Sequence, residues 1–369
     1  MTKSANAFDF IQQLKDVAKL YPTVSILSKE GKITNPTLMP NLTDEQLVEL
    51  FQKMLWSRTL NERSTKLAKQ GRLGFFAPTA GQEASQMASY FVFEKNDFLY
   101  PGYRDIPQLI QHGLPIYKAF LWSRGHMEGN EYPDELRAMP PQIIIGAQII
   151  QAMGTAVGMK KRKKSQVTFT YTGDGGSSQG DFYEGLNFAG SYQAPLVCFV
   201  QNNGFAISTP RELQTAAPTL AQKAAAAGIP GIAVDGMDAL AVYIVAKAAR
   251  DWAVSGNGPI LVEIISNRFD PHSLSGDDPL RYRDKADIEK WQKLDPLIRY
   301  RIFLENKNLW NESMESEYIK KVNLTIDEAV KQADNVNKQK ISDFLKNMFA
   351  EPSPIITEQI IAFEAKEGK

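Results

Sequence analysis

Val167-Thr168-Phe169-Thr170-Tyr171-Thr172-Gly173-Asp174-Gly175 and Leu196-Val197-Cys198-Phe199-Val200-Gln201-Asn202-Asn203 decide the fold between them, with 26 residues separating Gly175 from Asn202. Each begins as an apolar run of strand length and ends in polar turn residues. Between the two runs Phe182, Gly185, Leu186 and Ala189 recur at helical spacing. This is a strand–helix–strand unit, and its strands should be parallel neighbours. Parallel strands end on the same side. Asp174 and Asn203 should therefore meet at the carboxyl edge of the sheet, where open α/β sheets bind ligands.

The residue types at that edge suggest what binds. A carboxylate, an amide oxygen and a nearby backbone carbonyl suit a hard cation such as Mg²⁺. Mg²⁺ keeps further positions for phosphate oxygens and water. Gly175 and Gly176 let the backbone approach those oxygens closely. A helix starting near Ser177 would aim its N-terminus at them. The expected ligand is a diphosphate held through Mg²⁺. The competing reading is a pair of Gly/Asn turns with a solvated Asp, and Gly-Asp-Gly alone would favour it. The full arrangement resembles the thiamin diphosphate motif, in which Gly-Asp-Gly is followed at this kind of distance by Asn-Asn.

Composition narrows the remaining classes. The chain has 369 residues, one large domain or two on the usual length prior. Its 42 basic residues balance 42 acidic ones, which gives no support for nucleic-acid or membrane-surface binding. The run Lys160-Lys161-Arg162-Lys163-Lys164 reads as a solvated helix end. A single cysteine, Cys198, lies in an apolar strand and excludes an internal disulfide or a cysteine-cluster metal site. No apolar run of about 18 residues occurs, and the first residues carry no apolar stretch of signal-peptide length. A cytoplasmic protein is expected.

Strands are expected at 98–100, 167–172, 195–200, 232–234 and 260–265. Helices are expected near 81–93, 105–124, 147–162, 178–190, 238–254, 284–304 and 315–335, with another opening at the Thr43/Gln46 capping-box pattern. Alternating strands and helices imply an α/β fold, a doubly wound and mostly parallel sheet with helices on both faces. The division expected is an N-terminal arm over residues 1–45, an α/β core over 46–300 and a helical C-terminal extension over 301–369, packed on the core or on a partner. Ala147, Ala152, Gly154, Ala156 and Gly158 make one helix rich in small residues, suited to close packing in the core or between subunits.

Two more segments carry chemistry. Pro101-Gly102-Tyr103-Arg104-Asp105 follows a strand, so Tyr103 and Arg104 also lie near the sheet edge. A guanidinium fork and a phenol suit a diphosphate, although the segment taken alone favours a turn with Arg104 paired to Asp105. Arg268-Phe269-Asp270-Pro271-His272-Ser273-Leu274-Ser275-Gly276-Asp277-Asp278-Pro279 is a loop after the strand 260–265. His272 there has no apolar helical face and suits phosphate donation or proton transfer. Asp277 and Asp278 are expected to pair with Arg281 and Arg283. His112 reads as a helix C-cap neighbour, and His126 as either structural or at the site mouth.

Taken with Gly71–Ala84 (GRLGFFAPTAGQEA), Ser123-Arg124-Gly125-His126, Ile143-Ile144-Ile145-Gly146-Ala147-Gln148 and GDGGSSQGDFYEG from Gly173, these segments resemble the alpha subunit of the thiamin-dependent first component of 2-oxoacid dehydrogenase complexes. The likeness runs from about Asp44 to Trp310 and is nearest the pyruvate-type members. It implies the thiamin diphosphate-binding fold, with Asp174 and Asn203 as side-chain Mg²⁺ ligands and Phe205 offering its carbonyl. It places Tyr103, Arg104, Arg268, His272, Gly173, Gly175 and Gly176 around the diphosphate. Ile143 and Ile145 would hold the aminopyrimidine through their backbone, with Ile145 as the apolar buttress. His272 and His126 are the catalytic candidates.

The implied reaction is oxidative decarboxylation of pyruvate, with the acetyl group passed to a lipoyl group on an acyltransferase component. The implied partner is a beta subunit that completes the site in a heterotetramer and supplies the activating glutamate. Branched-chain 2-oxoacids or acetoin are alternative substrates, and a non-catalytic scaffold subunit is an alternative of another class. Asp270 and Gly204 depart from the pyruvate-type pattern, Asp270 by adding a negative charge near the expected phosphates.

Overall fold

A computed structural model describes residues 9–367. Among the described residues eight strands occur in chain order: β1 (Thr23–Val24), β2 (Phe98–Tyr100), β3 (Thr168–Gly173), β4 (Leu196–Asn202), β5 (Phe205–Ala206), β6 (Thr209–Pro210), β7 (Gly231–Asp235) and β8 (Ile260–Ile265). Six of them form one sheet in the order β1-β7-β8-β4-β3-β2, with every neighbouring pair parallel. β5 and β6 form a small antiparallel hairpin just beyond β4.

Both faces of the sheet are covered, as parallel sheets require. Side chains alternate along β3 and β4. Phe169, Tyr171, Val197 and Phe199 face the larger core with the helix Ala239–Trp252. Cys198 and Val200 face the other way, onto Ile149, Phe182 and Leu186 from the helices Ala147–Lys161 and Gly180–Tyr192. Aromatic stacking adds to the larger core: Phe93 lies on Phe169 at 3.8 Å between ring centres, and Tyr171 on Phe199 at 4.9 Å. The basic run 160–164 is exposed at the end of its helix, and Lys163 takes a left-handed φ of 52°.

The Thr43 capping box is formed: Gln46 N donates to Thr43 Oγ1 and Thr43 N to Gln46 Oε1, opening the helix Asp44–Lys69. Two expected helices are each broken in two. The span 105–124 becomes Ile106–Gln111 and Ile116–Ser123, because Gly113 takes φ 127° and Pro115 caps the second piece. The span 284–304 becomes Lys285–Gln292 and Pro296–Asn306. A proline starts a helix well and continues one badly, since it lacks the N–H and clashes with the preceding turn. The helix Pro296–Asn306 runs unbroken across position 300.

The segment 23–27 joins the edge of the sheet. Thr23 and Val24 pair with Ala233 and Val234 at the sheet edge. The fully buried Asp238 carboxylate holds the continuation, accepting from Ile26 N at 2.7 Å and Leu27 N at 2.6 Å. Arg299 pairs with the same oxygen at 3.3 Å, and the other oxygen caps the helix Ala239–Trp252. No helix among the described residues is long and apolar enough to cross a membrane.

Asp238 thus accepts from four buried backbone N–H groups and pairs with Arg299 as well. Asp238→Ala is expected to cost about 3–5 kcal/mol, against about 1 kcal/mol for loss of the exposed cap in Thr43→Ala. Urea unfolding measures both, and equal losses would contradict this assignment.

Candidate functional site

The register of the sheet builds the site. Gly173 pairs with Gln201 and Asn202 with Ile265, so β3, β4 and β8 end level with one another. Asp174, Asn203 and the loop from Ser266 leave the sheet side by side. The segment 138–142 runs along β2, with Gln142 N donating to Pro101 O at 3.0 Å. That delivers Ile143 and Ile145 to the same edge. Gly146 then turns the chain with φ 95° into the helix Ala147–Lys161.

These ends enclose a cavity of about 400 Å³. Tyr103, Arg104, Ile143, Ile145, Gly173, Asp174, Gly175, Gly176, Asn203, Phe205 and His272 all line it. Ten of the eleven come from four sequence segments, and His272 reaches in from a fifth. Gly176 has no room for a side chain, because a Cβ there would sit 1.9 Å from Thr172 Oγ1. A Cβ at Gly175 would press on Ala206 at 2.7 Å. Gly204 lets the chain turn after the Asn pair with φ 84°.

Arg268 does not line the cavity. It is buried behind it, 1% exposed, with Nη1 donating to Asp270 O at 2.6 Å and Nε unpartnered. The Asp270 carboxylate is not at the cavity either. It accepts from Asn61 Nδ2 at 2.9 Å, so the extra negative charge expected near the phosphates is turned away. His126 also lies outside the lining: its Nε2 is 3.1 Å from Asn337 O and its Nδ1 accepts from Glu128 N. Those bonds fit the structural reading of His126 and bring it to no reacting group. His112 is the C-cap of its helix, with Nε2 3.2 Å from Asp97 O and from Arg137 O.

The loop carrying His272 is ordered differently from the expected ion pairs. Asp277 accepts from His272 N at 2.5 Å and from Tyr282 OH at 2.8 Å. Arg283 donates instead to Arg268 O at 2.5 Å and Asn267 Oδ1 at 2.7 Å. Of the expected pairs only the exposed Arg281–Asp278 contact forms, at 3.9 Å. A buried backbone carbonyl and a buried amide drew Arg283 inward, a choice that charge pattern does not show.

The electrostatics of the cavity are unbalanced in a specific way. Asp174 is buried and makes no ion pair among the described residues; its side-chain donor is Gln214 Nε2 at 2.8 Å. Burial raises its carboxyl above the usual value, opposed by Gln214, backbone N–H groups including that of Asn203, and Arg268. Arg104 is also buried without a carboxylate partner. Its Nη1 donates to Pro78 O at 2.5 Å, and its Nη2 to His272 O at 3.0 Å, with His272 Nδ1 3.2 Å away. Burial and the neighbouring Arg268 lower its affinity for the proton. Burial, then Arg104 and Arg268, bring the His272 ring down to about 4, so it is neutral at pH 7.

This set fits a cation bridged to a polyanion. The Asp174 carboxylate gains from a cation, and the two guanidiniums gain from phosphate oxygens. Among the described residues no three His, Cys, Asp or Glu side chains cluster, so a cation here relies on oxygen donors of mixed type.

A family model described as dehydrogenase E1 component matches residues 52–342. The chain belongs to the dehydrogenase E1 component family. That family consists of thiamin diphosphate-dependent 2-oxoacid dehydrogenases. The chain is 55% identical over 362 residues to the pyruvate dehydrogenase E1 component subunit alpha of Staphylococcus aureus strain COL, covering 98% of each chain. It is 53% identical over 362 residues, again 98% of each, to the protein of the same name from Staphylococcus epidermidis. As an E1 family member it carries groups that sequence reasoning passed over. Gln82, Asp105, Gln148, Gln179, Gln201 and Phe75 also line the cavity. Amides carry no periodic signal, and only their nearness to Gly81, Arg104 and Asn202 in sequence hinted at them.

Asp174→Asn keeps the Gln214 hydrogen bond and removes the buried charge. The ligand-free Tm at pH 7 is expected to rise by about 2–4 °C, while any gain in Tm from Mg²⁺ with thiamin diphosphate is lost. A lower Tm with that gain intact would contradict the reading. The pH dependence of stability checks His272. Its ordinary value of 6.5 is depressed to about 4 in the fold. The unfolded chain therefore takes up the proton first, and stability falls as pH drops from about 6.5 toward 4. His272→Gln should flatten Tm against pH in that window, and identical slopes would refute the depressed value.

Proposed function

We propose that this chain is the alpha subunit of a pyruvate dehydrogenase E1 component. Its proposed reaction is the oxidative decarboxylation of pyruvate, with transfer of the acetyl group to a lipoyl group. The observation that carries the reading is the cavity at the sheet edge, where the Asp174 carboxylate and the Arg104 guanidinium lack charge partners, with the unpaired Arg268 buried behind it. The names of the relatives support the choice of pyruvate over branched-chain 2-oxoacids or acetoin.

Asp174 and Asn203 hold Mg²⁺ through their side chains in this reading, and Phe205 through its carbonyl. Tyr103, Arg104, Arg268 and His272 surround the diphosphate, with Arg268 acting from behind. Gly173, Gly175 and Gly176 give that group its close backbone approach. Ile143 and Ile145 hold the aminopyrimidine. When bound, thiamin diphosphate supplies the electron sink for loss of CO₂. Arg104 can only donate, so its bond to Nδ1 leaves the one proton of the neutral His272 ring on Nε2, which is therefore a hydrogen-bond donor, while Tyr103 packs edge-on against the ring. Tyr103 and Phe75 pack edge-on at 5.9 Å and close one wall against water.

A beta subunit completes the site in a heterotetramer, and a lipoyl-bearing acyltransferase receives the acetyl group. The division into an arm (1–45), a cofactor-binding core (46–300) and a helical extension (301–369) belongs to the same proposal, as does a cytoplasmic location. A scaffold that had lost the site would have no reason to keep unpaired buried charges, which cost stability.

Co-expression with the beta subunit, followed by a 2-oxoacid panel, tests this. Pyruvate is expected to exceed 3-methyl-2-oxobutanoate and acetoin in kcat/KM by about 10-fold or more, the range that small apolar differences command. A preference for the branched substrate would overturn the pyruvate assignment, and no turnover with any of them would favour the scaffold.

A further inference from the structure

We propose that Asp105 is a positioning residue that fixes, through a relay of two glutamines, which atom of the Asn203 amide faces the cation. The proposal rests on the reading of Asn203 as a Mg²⁺ ligand. It concerns four buried side chains in contact: Asp105, Gln201, Gln82 and Asn203, none more than 9% exposed. Gln201 Nε2 donates to Asp105 Oδ1 at 2.6 Å. Gln82 Nε2 donates to Gln201 Oε1 at 3.4 Å, and Ser85 Oγ donates to the same oxygen at 3.1 Å. Asn203 Nδ2 donates to Gln82 Oε1 at 3.3 Å.

Direction is the informative part. Each amide has a donor end and an acceptor end, and electron density alone rarely distinguishes them. A carboxylate only accepts. Asp105 receives three N–H groups, from Gly102 N at 2.8 Å, Gln108 Nε2 at 3.0 Å and Gln201 Nε2 at 2.6 Å. Gln201 must therefore turn its nitrogen to Asp105 and its oxygen to Gln82. Gln82 must then turn its oxygen to Asn203. Asn203 must give its nitrogen to Gln82, which leaves Oδ1 as the atom presented at the cavity. Phe205 N donates to that oxygen at 3.3 Å, a long bond that agrees with the same orientation. An amide turned the other way would offer N–H groups to a cation and could not ligate it.

Asp105→Asn is the sharpest probe. The Gly102 N–H is part of the backbone and cannot reverse, so the substituted side chain would give it the amide oxygen. The new NH₂ would then face Gln201, which must flip, and the whole relay would invert. The readout is the Mg²⁺ concentration that half-saturates thiamin diphosphate binding to the assembled alpha–beta complex, followed calorimetrically. Asp105→Asn is expected to raise it by about 10-fold or more, the usual effect of losing an outer partner of a ligand. Gln82→Leu, which leaves Asp105 and its turn intact, is expected to raise it by a similar factor. In the double variant the two effects should not add, since both act through one relay.

An unchanged Mg²⁺ requirement in Gln82→Leu would overturn the proposal, and this variant decides the matter if Asp105→Asn fails to assemble. Additive effects would also overturn it, since they would mean that Asp105 acts only by holding the Gly102 turn. Wild-type complex that binds thiamin diphosphate without needing Mg²⁺ would instead refute the underlying metal assignment.

Discussion

Three buried charges without partners of opposite sign hold the key to this molecule. Asp174, Arg104 and Arg268 all sit at the carboxyl edge of one sheet, and none is in an ion pair among the described residues. Such groups are costly to bury, and stability alone gives no reason to keep them. Several buried ions elsewhere are paired, Arg58 with Glu83 and Asp295, Arg250 with Asp97, and Arg299 with Asp235 and Asp238, while Glu263 and Lys223 are held by neutral hydrogen-bond partners. What sets the cavity apart is that unpaired buried charges of both signs, Asp174 and Arg104, line one open space, which leaves charge balance there for a ligand to complete.

The sheet exists in this form to make that concentration of charge possible. Level strand ends bring Asp174 and Asn203 out side by side, and the fully buried strands behind them leave little freedom for drift. The turn at Gly81 ties the site to the core. Its φ is 94°, its N–H donates to the buried Glu83 at 3.0 Å, and a Cβ would strike Asn267 O at 2.4 Å. Glu83 is in turn gripped by Arg58. The Gln82 side chain that reaches Asn203 therefore hangs from a rigid support.

Much of this was legible in the sequence, for a physical reason. Strands buried on both faces must be apolar along their length, and β3 and β4 say so plainly. The glycines at 173, 175 and 176 and the Asn pair mark where the chain must turn and bind. Other features left no such trace. Thr23–Val24 is too short for any periodicity and owes its place to Asp238 and Arg299, more than 200 residues away. The broken helices at Pro115 and Pro296 were written in the prolines, but the apolar spacing on either side masked them. Asp277 preferred a backbone N–H and a phenol to an arginine, and Asp270 turned to Asn61. The glutamines of the cavity are uncharged and aperiodic, so only coordinates bring them together.

The most direct measurement is a crystal structure of the alpha–beta complex soaked with thiamin diphosphate and Mn²⁺ in place of Mg²⁺, with anomalous data at the manganese edge. The account predicts one peak in each cavity, coordinated by the Asp174 carboxylate, Asn203 Oδ1, the Phe205 carbonyl and diphosphate oxygens. A peak away from Asp174, or a bound diphosphate with no metal between it and that carboxylate, would contradict it.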